Sequence, residues 1–180
     1  MKWLGDAILK VSGWQWHQTI GPETPKGVLI GAPHTSNWDL VYTLAALHSM
    51  KIDVVFLAKK ELFKGPLGWL LRYFGGVPVD RSKHTKMTNA MAEKIKEATK
   101  MVVLIPPEGS RGAVSNWKSG FYWTAHMAGV PIFLGFLDYA KKEAGIGPAF
   151  YTSGNYEADL EKIKAFYADK VGKHPERFVL

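Results

Sequence analysis

The 180-residue chain contains no cysteine, so disulfides, thiolate metal sites and a cysteine nucleophile are excluded by composition alone. It also lacks any uninterrupted apolar run near the about 20 residues that a bilayer-spanning helix needs; such a chain is expected to lie on a membrane rather than cross it. The N-terminus does not read as a secretory signal, because Asp6 and Lys10 interrupt the first apolar stretch and no small-residue cleavage site follows. That points to a cytoplasmic protein. Repeats, low-complexity tracts and linkers are absent, and the length suits one domain with a sizeable core. Acidic residues are in the minority: 16 Asp and Glu against 23 Lys and Arg leave a net charge of +7 and a pI near 9.5. This excess favours a polyanionic partner, whether nucleic acid, anionic lipid headgroups or a phosphorylated substrate.

What is present is a pattern of alternating strands and helices. Trp3, Leu4, Ala7, Ile8, Val11 and Trp14 recur at helical spacing, with Lys2, Asp6 and Lys10 largely on the other side. They predict an amphipathic helix within residues 1–18, ahead of a main domain over 19–180. Its tryptophans and lysines suit a water–lipid boundary; the same pattern also serves a helix packed on the domain, and the sequence leaves both readings open. The run GVLIGA at 27–32 is apolar, branched and bounded by Gly and Pro, as a buried strand should be. A helix capped by Ser36 or Asn37 should follow, with Leu40, Leu44, Leu47 and Met50 along one face. Strands are expected over 53–58, 101–105 and 130–137, and helices over 87–99 and 157–169. The alternation implies a single α/β domain with a mostly parallel central sheet flanked by helices, plus the N-terminal amphipathic helix.

Three constellations carry chemistry. The first is His34-Thr35-Ser36-Asn37-Trp38-Asp39, where the first long strand gives way to a helix, the usual position for ligands in open α/β sheets. On one continuous helix His34 and Asp39 would point apart, so pairing needs the turn to fold the histidine back over the first helical turn. Asp39 can then hold one ring N–H and leave the other nitrogen as a base for a bound hydroxyl. A cap beside a surface histidine is the plainer reading of that pair alone. The second is Pro106-Pro107-Glu108-Gly109-Ser110-Arg111-Gly112 after the strand MVVLI. It fits an anion site built from backbone N–H groups and the Arg111 fork, or an ordinary tight turn. It meets neither the phosphate-loop spacing nor the Gly-x-Ser-x-Gly elbow, because Glu108 stands two before Ser110, so Ser110 is not assigned as a nucleophile. The third is Gly75-Gly76-Val77-Pro78-Val79-Asp80-Arg81, where Arg81 is a second phosphate contact or a solvated charge. Just before it, Pro66 can start a short helix bearing Trp69, Arg72, Tyr73 and Phe74, which reads as a lipid-facing lip or as a core helix.

Taken together, these blocks resemble the glycerolipid acyltransferase superfamily, which includes the 1-acylglycerol-3-phosphate acyltransferases. Its His-x-x-x-x-Asp block is similar to residues 34–39, its Gly-x-x-x-x-x-Arg block to 75–81, its Pro-Glu-Gly-Thr-Arg block to 107–111 and its Val-Pro-Ile block to 130–132. Lys59-Lys60-Glu61-Leu62 and Trp117-Lys118-Ser119-Gly120 add to the agreement, which spans roughly residues 27–138. Four ordered blocks are specific where any one is weak. Departures are Pro33, Pro106, Ser110 and Leu134, where family members often carry Asn, an aromatic or aliphatic residue, Thr and Pro. The resemblance implies an O-acyltransferase that moves a fatty acyl group from acyl-CoA or acyl-acyl carrier protein to a hydroxyl of a lysophospholipid-like acceptor. His34 would be the general base and Asp39 its orienter, with Arg81, Glu108, Gly109, Ser110 and Arg111 around the acceptor headgroup and Lys59 and Lys118 nearby. No metal or redox cofactor is implied. The expected setting is peripheral, at an anionic inner membrane face, with no nucleic-acid partner. A noncatalytic lipid-binding or membrane-docking module on the same fold is the alternative.

Overall fold

The computed structural model describes residues 2–20, 24–79, 84–113 and 115–180. Arg81 and the side chain of Trp3 lie outside what is described. In chain order the elements are α1 (Lys2–Ser12), β1 (Gln15–Gln18), β2 (Lys26–Ala32), α2 (Trp38–Met50), β3 (Val55–Lys59), a 3-10 turn (Lys60–Phe63), α3 (Gly65–Tyr73), β4 (Gly76–Val79), α4 (His84–Glu97), β5 (Met101–Ile105), α5 (Gly120–Ala128), β6 (Ile132–Asp138), β7 (Glu143–Phe150) and α6 (Tyr156–Tyr167). A second 3-10 turn covers Pro175–Arg177.

The seven strands form one sheet in the order β1-β7-β6-β2-β5-β3-β4. Every neighbouring pair is parallel except β6 with β7. The branched runs Val28-Leu29-Ile30 and Val102-Val103-Leu104 sit at its centre and are buried, which a parallel strand covered on both faces requires. Alternate residues feed two cores. Leu29, Val102, Leu104 and Phe133 pack with Leu9 of α1, Leu44 and Leu47 of α2 and Leu71 of α3. Val28, Ile30, Val103 and Ile132 pack with Ile95 of α4, Phe121 of α5 and Ile163 of α6. The result is a three-layer α/β domain, as the alternation predicted.

The expected elements all form, with ends displaced by a few residues. The sequence reading passed over β1, β7 and α5. Within β7, a Cβ at Gly145 would come within 2.6 Å of the Phe136 ring and one at Gly147 within 2.4 Å of the Phe166 ring. Two residues apart, they share one face of the strand, and their smallness admits the Phe136–Phe166 pair there. Of the two readings open for the N-terminal helix, α1 does pack on the domain: Leu9 is buried, and Trp14 just beyond the helix is buried and stacked on Tyr42 at 4.5 Å.

Candidate active site

The carboxyl ends of β2, β5 and β6 lie side by side, since Ile30 is in register with Ile105 and Ala32 with Phe136. The segments leaving them, 33–37, 106–111 and 139–142, therefore meet at one edge. This is where an open parallel sheet leaves a crevice.

Asp39 is the second residue of α2, and its carboxylate is folded back over the turn before the helix. Oδ2 accepts the N–H groups of Thr35 at 2.7 Å and Ser36 at 2.8 Å. The expected Asn37 cap does not form: Asn37 is helical in its own backbone and makes no side-chain cap bond, while Ser36 Oγ accepts the Trp38 N–H at 3.2 Å. Tying down 35 and 36 brings the histidine round. His34 Nδ1 lies 3.3 Å from Asp39 Oδ2, and Nε2 has no partner among the described residues. The other carboxylate oxygen, Oδ1, accepts the Tyr139 hydroxyl at 2.7 Å.

His34 is held at its backbone too. Its N–H donates to both carboxylate oxygens of Glu108, at 2.8 and 3.1 Å. Glu108 is only 4 % exposed, so its carboxylate faces the histidine's main chain rather than open solvent. The turn is also clamped from the far end of the chain: the His174 N–H donates to Thr35 Oγ1 at 3.2 Å, and the Tyr139 N–H donates to the Val171 carbonyl at 2.8 Å.

Electrostatics follow from these contacts. Burial alone pushes the Asp39 carboxyl up, but the bonds from His34, the Ser36 N–H and the Tyr139 hydroxyl outweigh it and hold the group below the ordinary carboxylate value. Asp39 is thus ionised at neutral pH. Burial raises Glu108 to about 7; the His34 N–H opposes that rise and the Asp39 charge adds to it. Burial and the Asp39 carboxylate push the Tyr139 hydroxyl well above the ordinary phenol range, so it stays protonated as a donor to Asp39.

An apolar cavity of about 490 Å³ opens beside this cluster and runs between α2 and the sheet. His34, Asp39 and Arg111 are on its wall; deeper in it is lined by Gly31, Leu47, Met50, Phe56 and Leu71. Close-packed interiors hold few voids larger than a water molecule, whereas ligand sites run roughly 300–1,000 Å³. This space has the size and the apolar lining of a ligand site.

Of the remaining sequence-predicted residues that are described, Arg111 alone is on the cavity wall. Gly109 takes a left-handed φ of +70° with the Lys118 stem 3.2 Å from where its Cβ would be, and the Lys118 N–H donates to the Pro107 carbonyl at 2.8 Å. Ser110, Arg111 and Lys118 are exposed, as is Lys59 at the end of β3; Lys59 is not part of the cavity wall. Arg81 lies outside the described residues. Tyr139 was missed by the motif reading, because it stands 100 residues from Asp39. Its position just past the apolar run 132–138 was the available signal, since that run ends at the same sheet edge.

The model of the Acyltransferase family matches residues 17–133. The structure is similar to that of PlsC, the 1-acyl-sn-glycerophosphate (LPA) acyltransferase of Thermotoga maritima, with a TM-score of 0.58 and 18 % identity over 95 % of this chain and 80 % of that one. At that identity the likeness is one of fold. No curated protein matches the chain by sequence.

Proposed function

The chain belongs to the Acyltransferase family, and we propose that it transfers a fatty acyl group from a thioester donor to the hydroxyl of a lysophospholipid-like acceptor. The observation that carries this reading is a His–Asp pair at 3.3 Å on the wall of an apolar cavity. The cavity takes the acyl chain and brings the thioester carbonyl to His34. The donor is acyl-CoA or acyl-acyl carrier protein, and the acceptor is a membrane lipid met at the cytoplasmic face. The fold match to a lysophosphatidate acyltransferase supports the acceptor class.

Reaction proceeds by direct transfer. His34 Nε2 takes the acceptor hydroxyl proton as the oxygen attacks the thioester carbonyl carbon, giving a tetrahedral oxyanion. Asp39 stabilises the imidazolium through Nδ1, and Tyr139 and the two N–H groups hold Asp39 in place. Collapse breaks the C–S bond. The departing thiolate takes the proton back from His34, leaving an ester and a free thiol. Arg111, with Arg81 and the Gly109 turn, receives the acceptor's phosphate, and Lys59, Ser110 and Lys118 complete a polar rim. Glu108 acts through the His34 main chain. The reaction as written needs no metal or redox cofactor.

Thiol release from acyl-CoA, with and without lysophosphatidate, tests the scheme. Wild type releases thiol only with acceptor, and His34→Ala lowers turnover roughly 10²–10⁴-fold. In the same assay Tyr139→Phe lowers kcat about three- to tenfold with KM unchanged, and the acid limb of its pH profile moves to higher pH because Asp39 has lost one of the bonds that keep it ionised. A His34→Ala variant with full turnover sinks the mechanism.

A further inference from the structure

Helix α3 is short, and most of its apolar residues face outward. Of its nine residues only Gly68 and Leu71 are buried, while Leu67, Trp69, Leu70 and Tyr73 are all exposed, Trp69 at 67 %. The exposure does not come from loose seating. A Cβ on Gly68 would fall 2.1 Å from the Phe63 carbonyl oxygen, so the helix backbone lies hard against the 3-10 turn before it. Trp69 and Tyr73 are stacked at 5.9 Å, which makes their rings one aromatic face. The largest exposed apolar patch of a soluble protein often marks an interaction site.

Two observations say what covers this one. The first is continuity with the cavity: Val41 of α2, Leu62 and Leu67 line it and are also 39, 45 and 51 % exposed. The patch on α3 thus runs without a break into the apolar interior. The second is charge. Over residues 59–73 stand Lys59, Lys60, Lys64 and Arg72 against the single carboxylate of Glu61, and all five are exposed. An apolar aromatic face in a segment with this excess of exposed cations is complementary to an anionic bilayer surface. Helix α1 exposes Leu4 and Val11 among its described side chains, with no aromatic beside them, and commits Leu9 to the core.

We propose that α3 and the turn before it are the surface through which the protein seats on anionic lipid, and that acyl chains enter the cavity sideways from the bilayer between Val41, Leu62 and Leu67. The entry route rests on the acyl-transfer reading of the cavity; the docking face does not.

The test is co-sedimentation with vesicles of phosphatidylcholine and phosphatidylglycerol, and with phosphatidylcholine alone. Trp69→Glu weakens binding at least about tenfold. The pair Lys60→Glu with Lys64→Glu weakens binding to the mixed vesicles only, and Val11→Glu on the exposed face of α1 leaves binding unchanged. All three keep the wild-type Tm. Trp69→Glu loses turnover with acceptor embedded in vesicles but keeps it with short-chain, water-soluble donor and acceptor. Undiminished vesicle binding by Trp69→Glu overturns the proposal. A solution dimer that Trp69→Glu dissociates also overturns it, by making a second copy the occupant. Absent short-chain turnover in wild type, alongside α3-dependent vesicle binding, removes the acyl-transfer reading and leaves the docking face standing.

Discussion

The carboxyl of Glu108 illustrates how a single residue holds the site together at a cost that depends on pH. In the unfolded chain it loses its proton near 4.5, and in the fold at about 7. Between those values the folded protein binds more protons than the unfolded one, so stability falls as pH rises through the window and the cost is complete above it. The difference corresponds to on the order of 3 kcal/mol at pH 8. Glu108→Gln carries no titrating group, so its Tm gains on wild type by several degrees between pH 5 and pH 8, whatever constant offset the amide introduces at the His34 N–H. A variant-minus-wild-type difference that stays flat across that range refutes the burial argument. The His34 and Asp39 pairing was legible from their spacing plus one requirement, a turn that folds back, and the Thr35 and Ser36 N–H groups meet it. The Glu108 contact was not, because it depends on β5 lying beside β2, which no local pattern encodes.

At the scale of elements, β2 is both a central strand and a wall of the cavity. Gly31 lies on that wall, and a Cβ there would meet only the Leu104 side chain at an ordinary 3.6 Å. The position needs no glycine for conformation or clearance, so the missing side chain reads as space left for a ligand. Gly31→Val keeps the strand, whose neighbours favour branched residues, and puts two methyl groups into the cavity. In competition assays the preferred acyl-CoA becomes shorter, while turnover with the shortest donors is retained. An unchanged chain-length profile places the acyl chain elsewhere. The same element was the plainest to read, since its apolar branched run admits little else. The edge strands were not: β1 is four residues of Gln15-Trp16-His17-Gln18 with three of them exposed, and it exists as a strand only because β7 offers it a partner.

At the scale of the whole molecule, strand order is the feature the sequence could not supply. Alternating β and α patterns fix the layers, but the sheet places β2 between β5 and β6 and turns β7 against the rest. That order gathers the loops of distant segments onto one edge. It also ties in the ends of the described chain, with Trp14 edge-on to Tyr139 at 4.9 Å and the 171–174 segment bonded to Tyr139 and Thr35. The N-terminal segment is accordingly part of the same packed body as the His34–Asp39 turn.

Those long-range bonds also put the site's assembly on a clock. The His34 main chain waits for a carboxylate 74 residues away, Asp39 for a hydroxyl 100 away and Thr35 for an N–H 139 away. Each such closure costs chain entropy before any contact rewards it, and chains beyond about 100–150 residues commonly pass through collapsed intermediates. On dilution from denaturant, far-UV ellipticity therefore recovers first and turnover afterwards, with superimposable recoveries as the contrary result. A chain caught in that interval has its sheet and helices but not yet the closed turn that sets His34 against Asp39.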